Sequence, residues 1–217
     1  MTTESQVLST GRDILGIGPV MPVVVIDSVA DAVPLARALA RGGVRAMEIT
    51  LRTEAGLGAI ERVAAEVPGT IVGAGTVTTP EEAAAASRAG ARFIVTPGAT
   101  ERLLDAVLET GLPLLAGAST LTEILRLREH GQQAVKFFPA EASGGTAYLR
   151  AVAGPVPDIS FCPTGGITPA NATEYLALPN VGCVGGSWLT PASAVGSGDW
   201  ATIERLAAEA AALHGTP

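Results

Sequence analysis

The feature that most constrains this chain is an alternation that runs from Pro19 almost to its end. Short apolar, β-rich runs are each followed by a longer stretch rich in Ala, Leu, Glu and Arg. The eight runs are Val20–Ile26, Arg45–Thr50, Thr70–Ala74, Arg92–Thr96, Pro113–Ala116, Ala134–Phe138, Ile159–Pro163 and Val181–Gly185. Stretches of helical length lie between them, as at Ala30–Arg41 and Thr100–Glu109. Strand and helix in strict turn predict a parallel sheet, because each crossover helix must pack back on the sheet. Eight such units in 217 residues predict an α/β protein, a closed (β/α)8 TIM barrel with the whole chain, 1–217, as one domain. An open doubly wound sheet is the competing arrangement. It usually has fewer strands and carries a GxGxxG turn after the first, which this chain lacks. Residues 1–17 read as an N-terminal helical extension, with a helix over Ser5–Leu15 covering the barrel bottom. Gly42-Gly43, Gly90 and Gly111 follow helices as C-caps, whereas Thr79-Pro80-Glu81 and Thr168-Pro169 read as an N-cap with proline at N1.

Composition narrows the partners. Apolar residues make up 47% of the chain but aromatics only 4%, so the core is aliphatic, as suits Val/Ile strands under Ala-rich helices. A net charge of −7 without any basic tract argues against nucleic acid or an anionic membrane as partner. The polar start, Met1–Gly11, has no signal-peptide core, and no apolar run reaches the roughly 20 residues of a membrane span. A soluble, intracellular protein is the expectation. Cys162 and Cys183 lie in apolar runs with no CxxC or Cys/His spacing, and there is no HExxH motif, so neither a metal nor another cofactor is expected. His130 and His214 read as surface or helix-end residues, and Trp188 and Phe161 as packing.

Barrel chemistry gathers at the C-terminal ends of strands, and here those ends are conspicuously polar: Glu48 to Arg52, Gly73 to Thr76, Thr96-Pro97-Gly98, Gly117 to Thr120, Lys136 to Pro139, Thr164-Gly165-Gly166 and Gly185-Gly186-Ser187. One of them holds the only lysine of the chain. Every other basic side chain is arginine, yet Lys136 stands inside the apolar run Ala134-Val135-Lys136-Phe137-Phe138. The two-residue period puts Ala134, Lys136 and Phe138 on one face, with Val135 and Phe137 on the other. If the latter face meets the helices, Lys136 points into the barrel. Burial disfavours a charged amine, and a neutral amine attacks ketones to give a Schiff base; arginine never surrenders its proton in this way. A snorkelling or ion-paired structural lysine is the alternative.

Glu48 follows the same logic, since Ala46, Glu48 and Thr50 share a face. It can shuttle protons for imine formation or serve as a structural ion-pair partner. Arg52, in the loop beyond, can clamp a carboxylate through two hydrogen bonds or stand as a solvated charge. Gly165-Gly166 and Gly186-Ser187 end the last two strands, where barrels commonly bind phosphate through backbone N–H groups. Each Gly-Gly alone is also an ordinary tight turn.

Matching segments run almost end to end along the chain. They include Pro22 to Val25, Glu48-Ile49-Thr50-Leu51-Arg52-Thr53-Glu54, Val72 to Val77 and Thr96-Pro97-Gly98. The most specific are Lys136-Phe137-Phe138-Pro139-Ala140-Glu141, Phe161-Cys162-Pro163-Thr164-Gly165-Gly166-Ile167 and Gly185-Gly186-Ser187-Trp188. In these the chain resembles the 2-keto-3-deoxy-6-phosphogluconate (KDPG)/4-hydroxy-2-oxoglutarate (KHG) aldolase family. It departs slightly at Ala116, where that family often carries proline. The resemblance implies a class I, metal-free aldehyde-lyase of the Entner–Doudoroff pathway of carbohydrate metabolism, cytoplasmic and homotrimeric. Such an enzyme reversibly cleaves 2-dehydro-3-deoxy-6-phosphogluconate to pyruvate and D-glyceraldehyde 3-phosphate. It implies Lys136 as the Schiff-base lysine, Glu48 as general acid/base, and Arg52 and Thr76 at the pyruvyl carboxylate with Pro97 lining that pocket. It also implies phosphate binding by Gly165, Gly166, Gly186 and Ser187, with Thr164 beside them. The galactonate epimer and 4-hydroxy-2-oxoglutarate are alternative substrates for the same chemistry. A metal-dependent or lysine-free phosphate barrel, such as a sugar-phosphate epimerase, and a non-catalytic phosphate-binding or assembly scaffold are the remote alternatives.

Overall fold

In the computed structural model, residues 8–213 are described, and they form eight parallel strands with helices between them. The strands are β1 (Val20–Val24), β2 (Ala46–Thr50), β3 (Ile71–Gly75), β4 (Ile94–Val95), β5 (Leu114–Ala118), β6 (Ala134–Phe137), β7 (Ser160–Pro163) and β8 (Val184–Gly186). Their order in the sheet is β7-β6-β5-β4-β3-β2-β1-β8. Single bridges, Phe161 to Val181 and Thr164 to Gly185, bring β7 against the β8 segment, so the sheet closes into the predicted barrel. Around it run α2 (Ala32–Arg41), α3 (Gly56–Glu66), α4 (Pro80–Arg88), α5 (Glu101–Glu109), α6 (Leu121–Glu129), α7 (Gly145–Val152), α8 (Ala172–Leu176), α9 (Ala192–Ser197) and α10 (Trp200–Ala211), after a short α1 (Gly11–Leu15). No helix among the described residues is long and apolar enough to cross a membrane.

Alternation along the strands sorts side chains into two cores. Met47, Ile49, Val135, Phe137 and Phe161 face outward into the layer between sheet and helices. Met21, Ala46, Phe93, Val95, Leu115, Ala134, Cys162 and Cys183 fill the barrel interior, together with Ile14 and Leu15 of α1. The extra helix therefore plugs the bottom, as expected. Gly11 and Gly182 let it approach: a Cβ at Gly11 would lie 2.6 Å from the Leu114 carbonyl oxygen, and one at Gly182 would lie 2.8 Å from Leu15 Cβ. Burying Ile14 and Leu15 in this way is worth about 1.5–3 kcal/mol each.

Several boundaries differ from the sequence expectation. The helix expected over Ser5–Leu15 begins only at Gly11, because Thr10 is extended (φ −138°) and caps it in a reciprocal pair with Asp13; positions 5–7 lie outside the described residues, as does His214. The helix expected to open at Thr168-Pro169 starts instead at Ala172. The Asn171 side-chain oxygen accepts hydrogen bonds from the Thr168 N–H (2.8 Å) and hydroxyl (3.3 Å), holding residues 168–171 in a turn. The last strand is shorter and later than expected. Val181 bridges back to β7, whereas Val184–Gly186 pair with β1, so the chain changes partner between them. Other ends follow their capping chemistry. Thr79 and Thr120 make capping boxes with Glu82 and Glu123, and Gly43, Gly90 and Gly111 take positive φ after helices.

Candidate active site

Lys136 lies on the inward face of β6 and is 4% exposed; Glu48, on the inward face of β2, is 2% exposed. The Lys136 Nζ donates to Glu48 Oε1 at 3.1 Å and lies 3.5 Å from Oε2. Two charges withdrawn from water and paired across a barrel make a poor device for stability, since their desolvation largely cancels their attraction. They do give an amine and a proton acceptor in direct contact. The Phe138 ring sits 5.6 Å from Nζ, adding a face attractive to cations.

Glycines make the space for this pair. A Cβ on Gly75, at the end of β3, would fall 2.2 Å from Glu48 Oε1, so the carboxylate reaches Lys136 only because that position has no side chain. Gly117 stands beside Lys136 in the β5–β6 register, and its Cβ would meet the Pro97 carbonyl at 2.1 Å. Pro97 is thereby drawn against the strand neighbouring the lysine.

Thr76, directly after Gly75, has φ +58°, a left-handed conformation that is a genuine outlier for a β-branched residue. Its hydroxyl accepts a hydrogen bond from Arg52 Nε at 3.4 Å. Strain of this kind persists where surrounding structure enforces it and concentrates at functional sites. Arg52 is exposed and Thr76 half-buried, so the guanidinium is open to a ligand above the buried pair.

On the opposite side of the mouth, Thr164 is buried. Its N–H donates to the Phe137 carbonyl at 2.9 Å, and it bridges Gly185, whose missing Cβ leaves room for the Thr164 hydroxyl. Gly165 and Gly166 follow with φ +96° and +81°. Gly165 packs under Phe138, and Gly186 lies against the Trp188 ring. Among the described residues, the N–H groups of Gly165, Gly166 and Ser187 donate to no protein acceptor. Successive free backbone N–H groups in a turn form an anion-binding concavity. No helix opens at Thr168, since α8 begins at Ala172, so the free peptide N–H groups are what this loop offers an anion.

The structure thus brings the sequence candidates to one end of the barrel in two connected groups. Glu48, Lys136, Arg52, Thr76 and Pro97 are linked through Gly75 and Gly117, and Thr164, Gly165, Gly166, Gly186 and Ser187 through the β7–β8 contact. Sequence reasoning missed the roles of Gly75 and Gly117, although glycine at strand ends flanking an inward carboxylate and lysine was a usable signal. It also passed over Cys162, which shares the Lys136–Cys162 register pair and a 3.8 Å contact with the Thr164 hydroxyl. The neighbouring Cys183 thiol and the Lys136 charge hold the Cys162 thiol below its usual range, whereas the Cys162 thiol and burial push Cys183 well up. Trp188 and Phe161 are packing residues as expected, and His130 caps α6 with Nε2 3.2 Å from Glu101. No group of three or more His, Cys, Asp or Glu side chains placed to hold a metal occurs among the described residues.

Comparison with known proteins matches residues 12–206 to the family model "KDPG and KHG aldolase". A 2-dehydro-3-deoxy-phosphogluconate aldolase of Pseudoalteromonas atlantica is 53% identical over 203 residues, 94% of each chain. Among solved structures, the KDPG aldolase of Legionella pneumophila, with pyruvate captured at low pH as a covalent carbinolamine intermediate, superposes with a TM-score of 0.92. It is 41% identical, over 94% of this chain and 98% of that one. The 2-keto-3-deoxy-6-phosphogluconate aldolase of Zymomonas mobilis ZM4 with 3-phosphoglycerate gives 0.90 at 42% identity, over 95% and 97%.

Proposed function

This chain belongs to the KDPG and KHG aldolase family, and from that premise we propose that it reversibly cleaves 2-dehydro-3-deoxy-6-phosphogluconate to pyruvate and D-glyceraldehyde 3-phosphate through a Schiff base on Lys136. The observation that carries this reading is the buried contact between Lys136 Nζ and Glu48 at the C-terminal mouth of the barrel. Glu48 takes a proton from the lysine ammonium, and the freed amine attacks the C2 ketone. The carboxyl then protonates the departing hydroxyl of the carbinolamine, and water leaves as the imine forms. Deprotonation of the C4 hydroxyl, by Glu48 directly or through a water, breaks the C3–C4 bond. Its electron pair flows into the protonated imine, and the aldehyde departs. Protonation of the enamine at C3 and hydrolysis return pyruvate and the free lysine.

In this reading Arg52 and Thr76 hold the substrate carboxylate while Pro97 lines its pocket, and Arg52 offers a planar fork suited to that group. Gly165, Gly166, Gly186 and Ser187, with Thr164 beside them, hold the phosphate. Free N–H groups and left-handed glycines support that assignment, as does a relative bound to 3-phosphoglycerate. A second substrate, 4-hydroxy-2-oxoglutarate, is favoured by one observation: the imine pair and the anion loop belong to different strand ends, so the chemistry does not pass through the phosphate donors. We take the working enzyme to be a cytoplasmic homotrimer of one-domain chains.

Borohydride trapping with pyruvate followed by peptide mass analysis tests the central claim, because Lys136 is the sole lysine. A pyruvyl adduct on the Lys136 peptide, absent from Lys136→Arg, is the expected result. Folded protein that yields no adduct refutes Schiff-base chemistry.

A further inference from the structure

Beyond the residues that form the anion loop, one part-buried contact, between Glu141 and Tyr175, lies against it. Glu141 follows β6 in a single 3-10 turn, Glu141–Ser143, and approaches the loop in two ways. Its N–H donates to the Gly165 carbonyl at 3.1 Å, next to an Ala140 N–H to Thr164 carbonyl bond of 2.8 Å. Its side chain also fills the space a Cβ on Gly166 would take, with Cγ 2.4 Å from that point. The carboxylate accepts a hydrogen bond from the Tyr175 hydroxyl of α8. Tyr175 is itself 1% exposed, and burial together with the Glu141 charge raises its pKa, so it remains a donor throughout the physiological range. From below, Asn171 Nδ2 donates to the Gly166 carbonyl at 3.1 Å.

Glu141 is exposed as a residue and carries a negative charge beside donors that await an anion. Left free, that carboxylate would compete for the same N–H groups and repel a phosphate. Tyr175 removes the conflict by fixing the carboxylate on α8, while the stem of the side chain keeps Gly166 in its left-handed turn.

We propose that the Glu141–Tyr175 pair is a positioning device that sets the Gly165–Gly166 loop and thereby determines the preference for phosphorylated over unphosphorylated 2-keto acids. The proposal rests on the reading of that loop as the phosphate site. Neither residue touches the reacting atoms, so its loss moves binding of the phosphate end and leaves imine chemistry alone.

The experiment compares steady-state kinetics of the full chain and its variants on 2-dehydro-3-deoxy-6-phosphogluconate and 4-hydroxy-2-oxoglutarate, with inorganic phosphate as competitor. Tyr175→Phe is expected to raise KM for the phosphorylated substrate, and the inhibition constant of phosphate, on the order of tenfold. Its kcat, its kcat/KM on 4-hydroxy-2-oxoglutarate and its borohydride trapping with pyruvate stay at wild-type values. Glu141→Gln keeps an oxygen acceptor for Tyr175 and no charge, and should retain the wild-type KM. Glu141→Ala, at an exposed position, tests the same contact should Tyr175→Phe not fold, and the double variant should be no worse than Glu141→Ala alone. An unchanged KM in folded Tyr175→Phe or Glu141→Ala overturns the proposal, and so does an equal loss on both substrates, which marks a merely structural brace. If the wild type itself shows neither a preference for the phosphorylated substrate nor inhibition by phosphate, the loop is not a phosphate site and both readings fall together.

Discussion

Gly75→Ala is the sharpest test of how the fold builds the catalytic pair. The added methyl would sit 2.2 Å from Glu48 Oε1 and equally close to its Cγ, whereas unstrained contact begins near 3.5 Å. The carboxylate must therefore retreat by more than 1 Å, or β3 must move. Because it is 2% exposed, it has no solvent pocket to retreat into, and the 3.1 Å bond to Lys136 is what gives way. A displacement of this size in a reacting group costs about 100-fold in rate, so kcat should fall by about two orders of magnitude. KM should change little, because the atoms that the added methyl meets all belong to Glu48 and none to Arg52 or the anion loop. The assay couples pyruvate release to lactate dehydrogenase, with circular dichroism to confirm the fold. Borohydride trapping of pyruvate should slow in parallel, since the same carboxylate serves carbinolamine formation. A folded Gly75→Ala enzyme with kcat within threefold of wild type would refute the claim that this glycine places the general acid/base.

Two further outcomes follow from particular contacts. Thr76→Gly removes a β-branched residue from φ +58°, a conformation costing about 1–3 kcal/mol, against about 0.5–1 kcal/mol for the freedom glycine adds to the unfolded chain. Urea denaturation should show a stability gain of about 1 kcal/mol, with KM for pyruvate raised through loss of the hydroxyl that Arg52 meets; a less stable variant would contradict the strain argument. Glu123 has its pKa lowered, first by the Ser119 N–H and then by the Thr120 contacts of the α6 capping box. Its folded pKa lies below its unfolded one, so the stability it adds is present above the unfolded value near 4.3 and is lost as pH falls through the folded one. The gap in melting temperature between wild type and Glu123→Gln should be open at pH 7 and should close on titration toward pH 3; a gap independent of pH would exclude the charge as its source.

How much of this was legible in the sequence depended on whether the governing interaction was local. Alternation of apolar and polar positions placed Ala134 and Lys136 inward and Val135 and Phe137 outward, because a strand's two-residue period is fixed by its own backbone. Thr79-Pro80-Glu81 announced its helix for the same reason: the side chain and the orphan N–H groups it satisfies are three residues apart. The failures share a cause. Thr168-Pro169 carries the same local signal, yet Asn171 captures the Thr168 N–H and hydroxyl and delays the helix to Ala172. Val181 reads as strand, and it does bridge β7 through Phe161, but barrel closure passes the chain on to β1 within three residues. The site divides along the same line. Lys136 and Glu48 were visible as charges in apolar runs; that Gly75 must be bare for the two to meet depends on β2, β3 and β6 converging, a relation no local pattern encodes. The Glu141–Tyr175 contact spans 34 positions of sequence and joins a 3-10 turn to α8, segments unremarkable when read singly. Residues that perform the chemistry are thus the more legible half of this site, because each violates the composition of its own strand. Residues that position them conform to theirs, and only the closed barrel reveals what they hold in place.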